Sequence, residues 1–219
     1  MKYVSDKEAK EAIIEFGRRV YQRGLVAGNA GNLSCRVDEN TVWVTPTMQS
    51  KGYISEDMLV KLDLDGKVLS DGKYQPSSET KMHLRLYKES EKIGAVVHAH
   101  PPIATAYACC GRNVYGELLP EAAVIFGRDI PLAPYGQPGT YEIPDAVAPF
   151  AKTNSCCLLE NHGALTWGAT MQDAEFHMET LENYCSILMY SDRILGGYKA
   201  LNDEAIKNLR EFHDYVMSL

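Results

Sequence analysis

His98 and His100 stand two apart in the run Gly94-Ala95-Val96-Val97-His98-Ala99-His100, whose apolar, β-branched composition predicts a buried strand. Alternate residues of a strand leave the same face, so the two imidazoles can converge on one ion in the way neutral imidazoles bind zinc. Two ligands alone do not make a site, and one core histidine beside one turn histidine is the ordinary alternative. His162 is a third candidate, in the turn Glu160-Asn161-His162-Gly163 between apolar runs at 155–159 and 164–167. Turns on a rigid scaffold are where functional side chains are commonly displayed. Three imidazoles with an open fourth position are the donor set of a catalytic zinc ion.

A second constellation is Pro76-Ser77-Ser78-Glu79, placed before a helical pattern that carries Met82, Leu86 and Tyr87. Free N–H groups at a helix N-terminus favour an anion, and serine hydroxyls add donors for a phosphate. Simple N-capping explains the same serines. Glu79 reads either as a first-turn carboxylate that complements the helix dipole or as an acid/base group beside a metal. A third constellation joins Ala30-Gly31-Asn32-Leu33-Ser34 to Thr45-Pro46-Thr47, a glycine loop and a threonine pair that offer neutral donors to the same anion. Lys51 is near enough in sequence to add charge, although a solvated lysine is the expectation.

These groups need elements to position them. Ser5 and Glu8 form a capping-box pattern ahead of Ala9, Ala12, Ile13, Phe16 and Val20, which predicts an amphipathic helix ending at Gly24. Strands are expected at 33–37 and 41–45 around Asp38-Glu39-Asn40, and a hairpin at 59–64 and 67–69 around Asp65-Gly66. Pro101-Pro102 ends the histidine strand, and a helix through 104–110 follows. The segment 120–139 is too punctuated by Pro and Gly to assign. A long helix near 172–195 carries Ala174, Met178, Leu181, Cys185 and Leu188 on one face and stops at Gly196-Gly197, and a last helix begins near Asn202 or Asp203. Helices interleaved with strands that join by both hairpins and crossovers predict a mixed sheet covered on both faces.

The composition sets bounds on partners. With 219 residues and 45% hydrophobic content the chain suits one domain spanning 1–219, large enough to bury a core without disulfides. Its net charge of −7 argues against nucleic acid or an anionic membrane held by bulk charge. No apolar run reaches the roughly 18 residues of a bilayer span, and the charged opening residues do not resemble a signal peptide. Four of the six cysteines lie in the adjacent pairs Cys109-Cys110 and Cys156-Cys157, which fits reduced thiols and a cytoplasmic location.

Taken in order, Gly31-Asn32, Thr47, Ser77-Ser78-Glu79, His98-x-His100 and His162-Gly163 closely resemble the zinc-dependent class II aldolase/adducin-like family, nearest to its fuculose-phosphate aldolase branch. The likeness runs from the first helix to the last. It implies a three-layer α/β/α sandwich with a mixed, largely antiparallel central sheet, and a homotetramer with sites between subunits. It further implies Zn2+ held by His98, His100 and His162, with Glu79 as catalytic acid/base and optional fourth ligand. Gly31, Asn32, Thr47, Ser77 and Ser78 would form the phosphate pocket. Phe212-His213-Asp214-Tyr215 is similar to the segment whose tyrosine reaches a neighbouring subunit's site, which makes Tyr215 a further catalytic candidate. The implied reaction is reversible cleavage of a ketose 1-phosphate to dihydroxyacetone phosphate and a short aldehyde such as lactaldehyde. Relatives of the same family supply the alternatives: a pentulose-phosphate 4-epimerase, in which Asp stands where this chain has Glu79; a methylthioribulose-phosphate dehydratase; and a non-catalytic adducin-like module. A metalloprotease is disfavoured because no His-Glu-x-x-His segment occurs. Two positions depart from the fuculose branch: Glu121 replaces a site tyrosine, and Met48 replaces a glycine beside Thr47.

Overall fold

The computed structural model describes residues 3–216. Its centre is a seven-stranded sheet in the order β3-β2-β1-β4-β7-β6-β5, made of β1 (Asn32–Arg36), β2 (Thr41–Val44), β3 (Val60–Asp63), β4 (Ala95–Ala99), β5 (Leu132–Ala133), β6 (Cys156–Leu159) and β7 (Gly163–Gly168). Every neighbouring pair is antiparallel except β5 with β6. The helices are α1 (Asp6–Gln22), α2 (Thr80–Glu89), α3 (Pro102–Cys109), α4 (Pro120–Phe126), α5 (Glu142–Val147), α6 (Met171–Met189) and α7 (Asp203–Val216).

Strand alternation divides the core into two layers. Ala95, Val97 and Ala99 of β4 join the apolar cluster of α1, α3, α4 and α6, whereas Val96 joins that of α2 and α5. The two clusters on opposite faces make the expected three-layer sandwich, and His98, in phase with Val96, faces the α2 layer. Ser5 closes a full capping box with Glu8 at the start of α1, and Thr170 does so with Asp173 at the start of α6.

Several boundaries differ from the sequence expectation for identifiable reasons. The second arm of the Asp65-Gly66 hairpin pairs through a single bridge, Leu62 with Val68, because Val68 and Leu69 stay exposed at the sheet edge. The long helix stops being α-helical at Met189 and passes through a π turn at Tyr190–Ile194 before Gly196. The unassigned segment 120–139 holds the seven-residue α4 and the two-residue β5, both too short to leave a periodic signal. No helix among the described residues is long and apolar enough to cross a membrane, and all six cysteines are unbridged.

Met48 adopts φ +59°, a left-handed conformation in which a side chain costs about 1–2 kcal/mol. Glycine removes that strain but loses more entropy on folding, about 0.5–1 kcal/mol. The net gain is up to about 1.5 kcal/mol, so Met48→Gly should raise the melting temperature by up to about 6 °C, at about 2–4 °C per kcal/mol for a chain of this size. A lower melting temperature in a thermal melt would contradict this account.

Candidate metal centre

The register of the sheet brings the site together. Asn32 on β1 lies directly opposite His98 on β4, so both side chains leave the same face, toward the N-terminus of α2. His100 follows the last residue of β4, where its backbone N–H donates to the Leu25 carbonyl. Because β4 pairs with β7, the β6–β7 turn that carries His162 sits beside the end of β4. Asn161 takes the left-handed conformation that closes this turn, one that asparagine tolerates better than most residues.

Two glycines permit the convergence. A methyl group at Gly163 would stand 2.6 Å from the Ala99 carbonyl oxygen and 2.6 Å from Cδ2 of His100. At Gly31, which has φ +76°, a methyl would meet the His98 carbonyl oxygen at 2.8 Å. Any side chain at either position would press on the backbone or ring that holds the histidines.

The three imidazoles do converge. Their ring centroids lie 4.8–5.1 Å apart, and one ligand atom from each lies within 4.8 Å of the others. The Nε2 atoms of His98 and His100 are 3.0 Å apart. His98 is fully buried and its Nδ1 lies 2.9 Å from the Ala164 carbonyl oxygen. A carbonyl only accepts, so that nitrogen carries the proton and Nε2 presents a lone pair to the centre of the cluster. Burial, opposed by the charge of Glu79, lowers the pKa of His98 to about 3, and burial also lowers that of His100, so both rings are held in the neutral form that binds metals.

Glu79 completes the cluster. One carboxylate oxygen is 2.9 Å from Nε2 of His162, and the other is 3.5 Å from Nε2 of His98. Burial works against ionisation of this carboxyl, but the hydrogen bond from His162, the field of His98 and a 2.7 Å hydrogen bond from Asn32 Nδ2 hold its pKa well below the usual range. Three imidazoles and a carboxylate meeting in a half-buried cluster form a donor set that a divalent transition metal fits once His162 gives up the proton it shares with Glu79, and zinc matches the set in ligand type and number.

The residues expected around a phosphate are also brought together, though their roles are mixed. Asn32 spends its amide on Glu79 and, at 3.4 Å, on the Ser77 hydroxyl. Ser77 Oγ accepts the Glu79 N–H at 3.3 Å in a local turn, while the N-cap position of α2 falls on Glu79 and makes no side-chain capping bond. The Thr47 N–H donates to the Gln75 carbonyl, and Pro46 bridges Pro76, which fastens the Thr47 loop to the serine segment. Thr47 and Ser78 are exposed, Ser77 is half-buried, and Gly31 is buried. Tyr215 is apart from this group on α7, which packs on α4 through the His213 ring and the Val124 carbonyl, 2.7 Å apart. Glu121, in the first turn of α4, lines a different hollow with Arg23, Glu179 and Glu182.

Two features were not foreseen. Lys51 is buried, at 1% exposure, and is not the solvated lysine expected from the sequence. A polar seam also fixes α2 on β1: the Ser34 hydroxyl lies 2.8 Å from His83 Nδ1 and 2.7 Å from the Tyr87 hydroxyl, which donates to the Ser34 carbonyl. The seam continues from the Asn32–Glu79 contact, two residues on along β1 and one turn on along α2. The spacing Glu79, His83, Tyr87 is the only sequence signal that points to it.

Comparison with known proteins agrees with this architecture. The family model described as class II aldolase and adducin N-terminal domain matches residues 11–189. A 3-oxo-tetronate 4-phosphate decarboxylase of Haemophilus influenzae is 34% identical over 94% of this chain and 98% of its own length. An L-fuculose phosphate aldolase of Methanocaldococcus jannaschii is 29% identical over 82% of this chain and 95% of its own length. Among solved structures, an L-fuculose 1-phosphate aldolase superposes with a TM-score of 0.86 at 28% identity, covering 96% of this chain and 97% of the other. The matched region contains the sheet and every residue of the histidine–glutamate cluster, and the chain belongs to the class II aldolase and adducin N-terminal domain family.

Proposed function

We propose that this protein is a divalent-metal lyase that breaks a carbon–carbon bond of a phosphorylated keto sugar or keto acid to leave the enediolate of dihydroxyacetone phosphate. The observation that carries the reading is the convergence of three imidazoles on a point flanked by the Glu79 carboxylate. His98, His100 and His162 hold the metal, zinc by the match of donors. When bound, the metal supplies Lewis-acid stabilisation of the charge left by bond cleavage, worth several kcal/mol at the transition state.

The rest of the chemistry belongs to the chain. Glu79, ionised and fixed by Asn32, takes the proton from the hydroxymethyl carbon of dihydroxyacetone phosphate in the condensing direction and returns it in the cleaving direction. Gly31, Asn32, Thr47, Ser77 and Ser78 orient the substrate through its phosphate, at the positive end of the α2 dipole. In a ketose 1-phosphate the C3–C4 bond breaks, its electron pair stays with C3, and the C4 hydroxyl loses a proton as the aldehyde forms. Tyr215, reaching a neighbouring copy's site in a homotetramer, handles that hydroxyl proton.

A second reading concerns only the leaving group. The 34% identical relative over nearly its full length is a 3-oxo-tetronate 4-phosphate decarboxylase. Loss of CO2 from that keto acid leaves its electron pair on the same carbon of the same enediolate, with one proton taken from solvent. It needs no group to deprotonate a departing hydroxyl.

The test is a substrate screen that scores dihydroxyacetone phosphate, aldehyde, CO2 and proton uptake separately. Ketose 1-phosphates and 3-oxo-tetronate 4-phosphate are supplied to enzyme with metal, after chelation, and after metal is restored. The expected result is triose phosphate release that falls at least 10³-fold on chelation and returns with the metal, since about 4 kcal/mol of lost stabilisation is a thousandfold in rate. Turnover indifferent to chelation, or no triose phosphate from any of these compounds, would remove the proposal.

A further inference from the structure

Lys51 has the features of a charge held for a ligand. Its ammonium is buried, and Nζ donates to the Asn29 carbonyl at 2.9 Å and to the Gln49 carbonyl. Among the described residues it enters no ion pair. Two neutral carbonyls satisfy two of its three N–H donors but do not balance its charge, and an uncompensated buried ammonium is costly. That cost shows in the group itself: burial lowers its pKa to about 8, and the field of Glu79 only partly restores it.

The position of the charge is informative. Asn29 belongs to the glycine loop that leads into Gly31 and Asn32, and Gln49 follows Thr47 and Met48. The ammonium thus ties together the two loops that carry Gly31, Asn32 and Thr47 of the proposed phosphate pocket, and these residues, like Ser77 and Ser78, are all uncharged. A phosphate monoester brings close to two negative charges, and a chain with net charge −7 otherwise repels it.

We infer that Lys51 is the charge-compensating positioning residue of the phosphate pocket, bracing the Asn29 and Gln49 loops and supplying the buried cation that selects a phosphorylated substrate over its unphosphorylated parent. This rests on the phosphate-pocket reading given above. The ligand class is a phosphate monoester dianion, and its binding relieves the unpaired charge.

Calorimetric titration of the metal-loaded protein with inorganic phosphate tests this in the wild type, Lys51→Met, Lys51→Gln and Ser77→Ala. Lys51→Met removes both charge and brace, whereas Lys51→Gln keeps an amide that can donate to a carbonyl and also serves if the methionine variant does not fold. The expected result is a loss of phosphate affinity of about tenfold to a hundredfold in both lysine variants, as for a charge-assisted contact. With the substrate found by the screen, the loss should appear as a raised KM with kcat within about threefold, because the phosphate is remote from the bond that breaks. Wild-type affinity in Lys51→Gln would reduce the lysine to a brace and overturn the charge assignment. Unchanged affinity in both lysine variants with a loss in Ser77→Ala overturns the whole inference but leaves the pocket standing. Phosphate binding that none of the three variants weakens removes the pocket, and the inference with it.

Discussion

Replacing His100 with alanine should strip the metal and abolish turnover without unfolding the chain. His100 is the proposed ligand best suited to this test because its ring is half-buried, while its tie to the fold is a backbone N–H bond to Leu25 that alanine keeps. Removing the His98 ring would instead leave the Ala164 carbonyl without its partner inside a closed core, confusing metal loss with destabilisation. Two remaining imidazoles and one carboxylate bind a transition metal less tightly and position it poorly. Losing even 4 kcal/mol of Lewis-acid stabilisation lowers the rate about 10³-fold, so turnover should fall by that factor or more. Elemental analysis and circular dichroism separate the possibilities. A folded variant with a full complement of divalent metal would show that His100 is not a ligand.

The sequence carried the parts of this site that depend on short-range geometry. Two histidines spaced by one residue on a strand must share a face, and His98 and His100 do meet. Ser77-Ser78-Glu79 sits ahead of a helix because serine and glutamate stabilise a first turn, and the structure puts Glu79 at the N-cap of α2. What the sequence could not carry are interactions whose partners are backbone groups or residues distant along the chain. Lys51 binds the carbonyls of Asn29 and Gln49, and carbonyls have no residue identity, so no spacing announces them. Ser34 reads as one more strand residue until β1 is laid under α2, where His83 and Tyr87 converge on its hydroxyl across roughly fifty residues. The short α4 and β5 were hidden for a different reason: seven and two residues do not complete enough of a period to be recognised.

The seam under α2 also bears on precision. Glu79 is the N-cap residue of a ten-residue helix, so its position depends on how firmly that helix sits on the sheet. Met82, Leu86 and Tyr87 bury their apolar surface in the α2 layer, and such side chains contribute about 1.5–3 kcal/mol each. Apolar contacts resist sliding only weakly, whereas the hydroxyl of Ser34 between His83 and Tyr87 fixes one register of helix on strand. The Asn32–Glu79 bond is the outermost rung of the same ladder. The polar groups on the α2 side of β1 therefore hold Glu79 at the distance from His98 and His162 that the proposed chemistry requires.

The substitution Glu79→Gln separates proton transfer from metal binding. Glutamine has nearly the same shape, and its amide oxygen can still accept from Asn32, while the three imidazoles are untouched. Much of the metal should remain. The amide cannot take or return a proton, so turnover should fall by about 10²–10⁴-fold, the usual contribution of a positioned acid or base. Net turnover alone would not distinguish a lost proton transfer from a disturbed metal, and a half-reaction does. Wild-type enzyme given only dihydroxyacetone phosphate in deuterium oxide should exchange one hydrogen at the hydroxymethyl carbon, because forming the enediolate requires no second substrate. Glu79→Gln should suppress that exchange by the same 10²–10⁴-fold while elemental analysis still finds metal. Exchange at the wild-type rate would take Glu79 out of the proton transfer and leave it as a ligand or a spacer. Because the enediolate is common to aldehyde release and to CO2 release, the measurement reads the role of Glu79 whichever leaving group the substrate screen identifies.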